Sequence, residues 1–400
     1  MKRNTKVGLV TSGGDCQGLN AAIRGVGKAL FSALDNVEIY GMYDGYRGLI
    51  EGDYVYMERS NFSGILTEGG TILGTSRQKY IPGKAIVDED GNNLIPAMLE
   101  TYNRLNLDCL VVMGGNGTQK SAKLLMDAGM NVVTLPKTID NDIWGTDTTF
   151  GFQSAVDIAT NVIDYIHSTA SSHSRVFLVE LMGRDAGWLT ASSIVATHRG
   201  NGPDLIYLPE SPFDTKKFFD QAMEVYNKKK RCLVALSEGI RDAKGNYIGA
   251  ATGTKDSFNH TQLGGVASYL ADSLTQKFNV KTRAIEFSLP TRAAGHIASL
   301  ADQKDAITCG KYAVELAVAG KTGVMVTLAR SGNKTVCNSL DLAKIANEVQ
   351  EVPQEYIIDD GSNISEKFLD YVLPLIEGEV HHDYKDGIPV YFDSAVLPKV

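Results

Sequence analysis

The chain has 400 residues, 43% of them hydrophobic and 22% charged, the balance of a folded protein and not of a disordered one. At ~100–200 residues per domain, that length predicts two domains. A net charge of −8, with no basic run longer than Lys228-Lys229-Lys230-Arg231, excludes a broad positive field for nucleic acid or anionic membrane.

In chain order, short apolar runs lead into glycine-rich or polar turns and then into helical patterns. Val7–Val10 is a predicted strand that runs into Thr11-Ser12-Gly13-Gly14-Asp15, with a helix from Asn20. Asp108–Met113 leads to Gly114-Gly115-Asn116-Gly117-Thr118 and a helix over Gln119–Ala128. Val132–Leu135 leads to a turn, Pro136-Lys137-Thr138-Ile139-Asp140-Asn141-Asp142. Ala155, Ala159, Val162, Ile163 and Ile166 form one helical stripe. Val176–Leu181 leads to Met182-Gly183-Arg184-Asp185, Leu205–Leu208 to Pro209-Glu210, and Cys232–Leu236 to Ser237-Glu238-Gly239. The tail carries a helix over Glu366–Leu373 that Pro374 stops, and it is expected to pack on the second sheet.

Continuous apolar runs read as strands buried on both faces of parallel sheets. Alternation with helices gives an α/β fold of two doubly wound, mostly parallel sheet domains, with ligands in the cleft beyond the strands' carboxyl ends. Residues 1–152, rejoined by about 293–347, are expected to form one domain; 153–292, completed by the tail 348–400, form the other. Five scattered cysteines without C-x-x-C argue against a disulfide scaffold or a structural zinc site and point to a reducing, cytoplasmic setting. The amino terminus reaches glycine after too few apolar residues for a signal peptide, and no run attains the ~18 apolar residues of a membrane span.

The two glycine turns allow close approach of backbone N–H groups to an anion, although a glycine turn alone is commonly punctuation. Asp140 and Asp142, two residues apart on one turn, suit a proton acceptor beside a hard-cation ligand, while Lys137 and Thr138 add charge and a donor for phosphate. A solvated turn would use the same residue types. Arg77, Arg175, Arg184, Arg283 and Arg292 fall at turns or beside strands, where guanidinium groups can grip phosphates. The seven histidines are dispersed, and neither H-E-x-x-H nor G-x-S-x-G occurs.

Taken together, TSGGDCQGLNAAIRG (11–25), YDGYRGL (43–49), GGTILGTSR (69–77), GGNGT (114–118), PKTIDNDIWGTD (136–147), SSHSRVFLVELMGRDAGW (171–188), ALSEG (235–239) and TRA (282–284) resemble the 6-phosphofructokinase family, in its mixed-substrate ATP/pyrophosphate branch. The resemblance covers most of the chain to about Arg330, and its motifs keep the family's order. It implies Mg2+-assisted phosphorylation of fructose 6-phosphate at the 1-hydroxyl, in glycolysis. It assigns Asp140 as general base, Asp142 to metal and phosphate placement beside it, and Thr138 and Arg184 to the reacting end. Met182, Gly183 and Glu238 would meet the sugar, and Arg175, Arg283 and Arg292 the 6-phosphate, some of them from a neighbouring subunit. Gly13 or Gly14, Arg77, Gly115, Asn116, Gly117, Thr118 and Lys137 would line the donor phosphates.

Three positions depart from the family pattern. Asn116 stands where many members carry an aspartate near the metal, leaving Asn116 and Asp142 as the implied ligands. Leu289 replaces a phosphate-binding histidine of ATP-type members. Lys137 replaces a glycine typical of strictly ATP-using enzymes and resembles the pyrophosphate users. Those users commonly carry an aspartate at the place of Gly117, where it would obstruct a nucleotide's α-phosphate, so Gly117 favours ATP, with pyrophosphate as the alternative. An NAD- or lipid-kinase-like enzyme shares only GGNGT, and a non-catalytic sugar-phosphate sensor would be expected to lack Asp140. Arginines lent across subunits imply a homodimer or homotetramer.

Overall fold

The computed structural model describes residues 4–81, 83–249, 265–293, 299–331, 334–345, 348–378, 380–381 and 383–390. The chain begins with β1 (Thr5–Thr11), helix α1 (Leu19–Ala33), β2 (Val37–Met42) and β3 (Tyr54–Tyr56). β4 (Cys109–Gly114), α2 (Asn116–Asp127), β5 (Val132–Thr138) and β6 (Phe150–Gly151) follow, and then the 22-residue α3 (Phe152–His173). A second set comprises β7 (Val176–Leu181), β8 (Leu205–Tyr207), β9 (Cys232–Ser237), α4 (Val266–Phe278) and β10 (Thr282–Phe287). The chain then passes through α5 (Leu300–Val318), β11 (Val324–Ser331) and β12 (Lys334–Asp341), and its tail holds the short helix α6 (Phe368–Val372).

The larger sheet has the order β12-β11-β5-β4-β1-β2-β3, with β6 paired to the end of β5. Its centre is parallel, Val7 standing opposite Cys109 and Leu110 opposite Val132, while β3 and β12 are antiparallel edges. The smaller sheet, β8-β9-β7-β10, is parallel throughout. Every residue of β4, β5, β7 and β9 is buried, which the unbroken apolar runs predict. The helical stripe lies in α3, with Ala155, Ala159, Ile163 and Ile166 buried. The protein is thus α/β with two mostly parallel sheets.

Four boundaries differ from the sequence reading. β5 continues through Pro136 and Lys137 to Thr138, where β6 supplies a late partner; proline is tolerated because it lies opposite Gly114, the last residue of β4. Helix α2 starts at Asn116 and not at Gln119, so the glycine turn is already its first turn. Arg283 lies inside β10 and does not flank it. Pro374 enters a tight helical turn, Leu373–Ile376, that prolongs the tail helix where a stop was expected.

Helices α1 and α5 pack together beneath the first glycine turn. A methyl group on Gly25 would stand 2.4 Å from the carbonyl oxygen of Ile307, and one on Gly310 would stand 2.5 Å from that of Ala22. Backbone opposes backbone here, so no side chain can yield. Gly25→Ala should therefore destabilise by ~1–3 kcal/mol, overriding the ~1 kcal/mol that helix propensity alone would return. Urea unfolding measures the sign, and a stabilised variant would refute this packing.

Candidate active site

The carboxyl ends of β1 and β4 build an anion cradle. After β1 the chain turns through Ser12 and Gly13, whose φ of 87° suits glycine. Gly13 N–H donates to the Ser76 carbonyl at 3.2 Å, and the Thr75 hydroxyl returns a 2.8 Å bond to the Gly13 carbonyl. The Thr118 hydroxyl donates to the Ser12 carbonyl at 3.3 Å, tying the second loop to the first. Thr118 packs so closely that a methyl on Gly114 would stand 2.2 Å from its Oγ1. Gly115 precedes α2, and the N–H groups of Asn116, Gly117 and Thr118 form the open first turn of that 12-residue helix.

Cations border this cradle. A Cβ on Gly14 would meet the guanidinium of Arg292 at 3.1 Å and that of Arg77 at 3.6 Å. Arg292 Nε lies 3.4 Å from Asp15 Oδ1. Lys137 is 4% exposed and donates from Nζ to the Gly14 carbonyl. Burial lowers its pKa, against the opposing influence of Asp140 and Asp15.

The acidic turn follows directly. Ile139 and Ile143 sink into the core, Asn141 is buried between them, and Asp140 and Asp142 are left at the cleft. Asp140 N–H donates to Thr138 Oγ1 at 3.1 Å, and the Thr149 hydroxyl holds the Thr138 carbonyl at 2.7 Å. Asp140 Oδ1 is buried and has no hydrogen-bond partner among the described residues. Burial raises the pKa of Asp140, while the charges of Lys137, Arg292 and Arg184 pull it down. Asp142 is pushed up to about 7 by burial and then by the neighbouring Asp140. Asn116 donates from Nδ2 to the Asp142 carbonyl at 3.2 Å, and its side chain also lowers the pKa of the Asp142 carboxyl by hydrogen bonding. The Asp142 carboxylate, its pKa raised by burial and standing beside the Asn116 side chain, is a hard oxygen donor of the kind that suits a small divalent cation. Among the described residues no group of three or more His, Cys, Asp or Glu side chains is placed to hold a metal.

The smaller sheet faces this turn from across the cleft. Met182, Gly183 and Arg184 leave the end of β7, and Gly183 has φ 141°. A methyl on Gly183 would lie 2.6 Å from the Ala186 carbonyl, so the loop can close this tightly only with glycine. Glu238 follows β9 and accepts from Gly183 N–H at 3.4 Å. Burial, then the charge of Asp140, lifts its pKa to about 7. Asp140, Arg184 and Glu238 thus feel one another across one cleft.

Two predicted residues lie elsewhere. Arg175 precedes β7 and Arg283 is the second residue of β10, both at the amino ends of their strands, while Gly183 and Glu238 lie beyond the carboxyl ends. Six strand residues separate the two ends by ~20 Å. One chain therefore does not gather Arg175 and Arg283 with Arg292, which sits beside Gly14 and Asp15 at the turn after β1. Leu289 is 57% exposed. Sequence reasoning missed the Asp15–Arg292 pair and every contact that the tail makes to the acidic turn; the partners are hundreds of residues apart, and no local pattern announces them.

A family model described as phosphofructokinase matches residues 6–317. The chain is 41% identical over 356 residues to an ATP-dependent 6-phosphofructokinase of Spirochaeta thermophila, covering 88% of this chain and 94% of that one. It is 38% identical over 352 residues to a pyrophosphate–fructose 6-phosphate 1-phosphotransferase of Amycolatopsis methanolica, covering 88% and 97%. Among solved structures, a pyrophosphate-dependent phosphofructokinase from Nitrosospira multiformis superposes with a TM-score of 0.85 at 26% identity, over 100% of this chain and 98% of that one. With these matches spanning nearly its whole length, the chain belongs to the phosphofructokinase family.

Proposed function

We propose that the protein transfers the terminal phosphoryl group of a donor to the 1-hydroxyl of fructose 6-phosphate, yielding fructose 1,6-bisphosphate, and that Asp140 is the base. The observation that carries this is the buried, unpartnered Oδ1 of Asp140 between a cationic cradle and the sugar-facing loop of the smaller sheet. The 1-hydroxyl gives its proton to that oxygen as its own oxygen bonds to phosphorus and the bridging oxygen of the donor departs. Lys137, Arg292 and Arg184 oppose the effect of burial on the carboxylate and would offset charge on the moving phosphoryl group. Met182, Gly183 and Glu238 orient the hexose, Glu238 accepting from its hydroxyls.

Mg2+ suits Asp142 and Asn116, where it would neutralise donor-phosphate charge. Asp140→Asn preserves shape and removes the base, so turnover is expected to fall ~10²–10⁴-fold with fructose 6-phosphate still bound. Steady-state assay with binding calorimetry measures both, and wild-type turnover in this variant would remove Asp140 from the role.

The larger sheet is the donor domain and the smaller one the sugar-phosphate domain. ATP is the donor read from Gly117, which puts no side chain in the first turn of α2, where an α-phosphate would pass. Relatives of both kinds exist, and the lysine buried against Gly14 favours the second reading, pyrophosphate. Initial rates with each donor should show ATP the better substrate by kcat/KM; faster turnover with pyrophosphate reverses the assignment.

The remote positions of Arg175 and Arg283 support a homo-oligomer in which a neighbour's arginines hold the 6-phosphate. Neither Asp140→Asn nor Arg283→Ala should be active alone. Mixed under subunit-exchange conditions, they should regain part of the wild-type rate, because some hybrid sites draw both intact residues. A mixture no faster than its components shows that the arginines are not shared.

A further inference from the structure

The turn that carries Asp140 and Asp142 is held from outside residues 6–317, by the carboxyl-terminal tail. Asn141, between the two aspartates, has φ 54° and is 1% exposed. Its Oδ1 accepts from Thr149 N–H at 2.9 Å, and its Nδ2 donates to the hydroxyl of Tyr371 at 2.7 Å. That hydroxyl donates onward to the Asp147 carbonyl at 2.8 Å. The Tyr371 ring lies 5.1 Å from the Trp188 ring and 5.4 Å from that of Phe368. A second strap runs alongside: Gln350 N–H donates to the Asp142 carbonyl at 2.9 Å, Val349 bridges Ile143, and the Gln350 carbonyl accepts from Trp188 Nε1 at 2.8 Å.

We propose that Tyr371 is a positioning residue for phosphoryl transfer, holding Asn141 in its left-handed step so that the carboxylates on either side point into the cleft together. A left-handed backbone is unfavourable for a residue with a Cβ, and asparagine tolerates it where its side chain is bonded. Asn141 is bonded at both ends of its amide, on one side by its own loop and on the other by the tail. A phenol oxygen accepts one bond and donates another, so a single hydroxyl serves Asn141 and Asp147 at once. The ring, meanwhile, leans on Trp188, four residues beyond Arg184. Tyr371 therefore touches both loops that the reaction must align and neither reacting group.

The proposal rests on Asp140 as base, and the test separates the two. Tyr371→Phe removes the hydroxyl and keeps the ring against Trp188. Its kcat should fall ~10–100-fold, the effect of a small misplacement of a catalytic group, with KM for fructose 6-phosphate near wild type and tryptophan emission unchanged. Tyr371→Leu removes the ring as well and should lower Tm further and shift that emission. Asn141→Gly keeps the backbone conformation accessible without the amide; in that background Tyr371→Phe should cost nothing more. Wild-type kcat in Tyr371→Phe overturns the proposal if Asp140→Asn, assayed beside it, is inactive. Full additivity with Asn141→Gly, or a Tyr371→Phe loss accompanied by the same fall in Tm as Tyr371→Leu, overturns it too. Turnover by Asp140→Asn would instead remove the reading on which it rests.

Discussion

The base role proposed for Asp140 requires an ionised carboxylate, yet burial at its site favours the neutral form. The surrounding structure answers that conflict. Burying an isolated carboxylate costs several kcal/mol even after relaxation, so nearby positive charge decides whether it survives as an anion. Lys137, Arg292 and Arg184 supply that charge from three different elements: the end of β5, the turn after β10 and the loop after β7. The same cations are those an incoming polyphosphate would engage. Asp142 and Glu238 are each lifted to about 7, by burial first and by the charge of Asp140 second. A divalent ion held at Asp142 would add positive charge there and favour an ionised Asp140.

This arrangement depends on strand ends from two sheets meeting in one cleft. The larger sheet contributes the glycine turns and the acidic turn, and the smaller one Arg184 and Glu238. Glycine enters where backbone must approach closely: Gly114 against the Thr118 side chain and Gly183 against the Ala186 carbonyl. Neither position has room for a methyl group. Gly114 is fixed by the Thr118 side chain packed against it, and Gly183 by its backbone conformation and the Ala186 carbonyl, which limits how far either loop can drift.

Legibility in the sequence followed the range of the interaction. Buried parallel strands were readable because both faces of β4 and β7 are covered, leaving unbroken apolar runs. The acidic turn was readable because its chemistry is packed into a few consecutive residues. Element ends were less so: α2 begins at Asn116 because its first turn uses the glycine loop itself, and a propensity argument starts the helix only after the glycines. Pro136 reads as a turn residue, yet its missing N–H falls where β4 has ended and asks for no partner. The union of Arg292 with Asp15, or of Tyr371 with Asn141 across 230 positions, depends on the assembled tertiary structure.

The tail also constrains how the cleft can move. Glu210 Oε1 accepts from Gly187 N–H at 2.8 Å and from Val352 N–H at 2.9 Å, fastening the tail to the loop beyond Arg184. Two residues earlier, Gln350 fastens it to the Asp142 turn. One short extended segment is thus bonded to loops from both sheets. Each buried hydrogen bond is worth only ~1 kcal/mol net, but leaving its partners unsatisfied costs ~1–3 kcal/mol apiece. Breaking the set would consume a large share of a typical stability of ~5–15 kcal/mol. A closure that conserves these bonds must keep the Asp142 turn and the loop beyond Arg184 together.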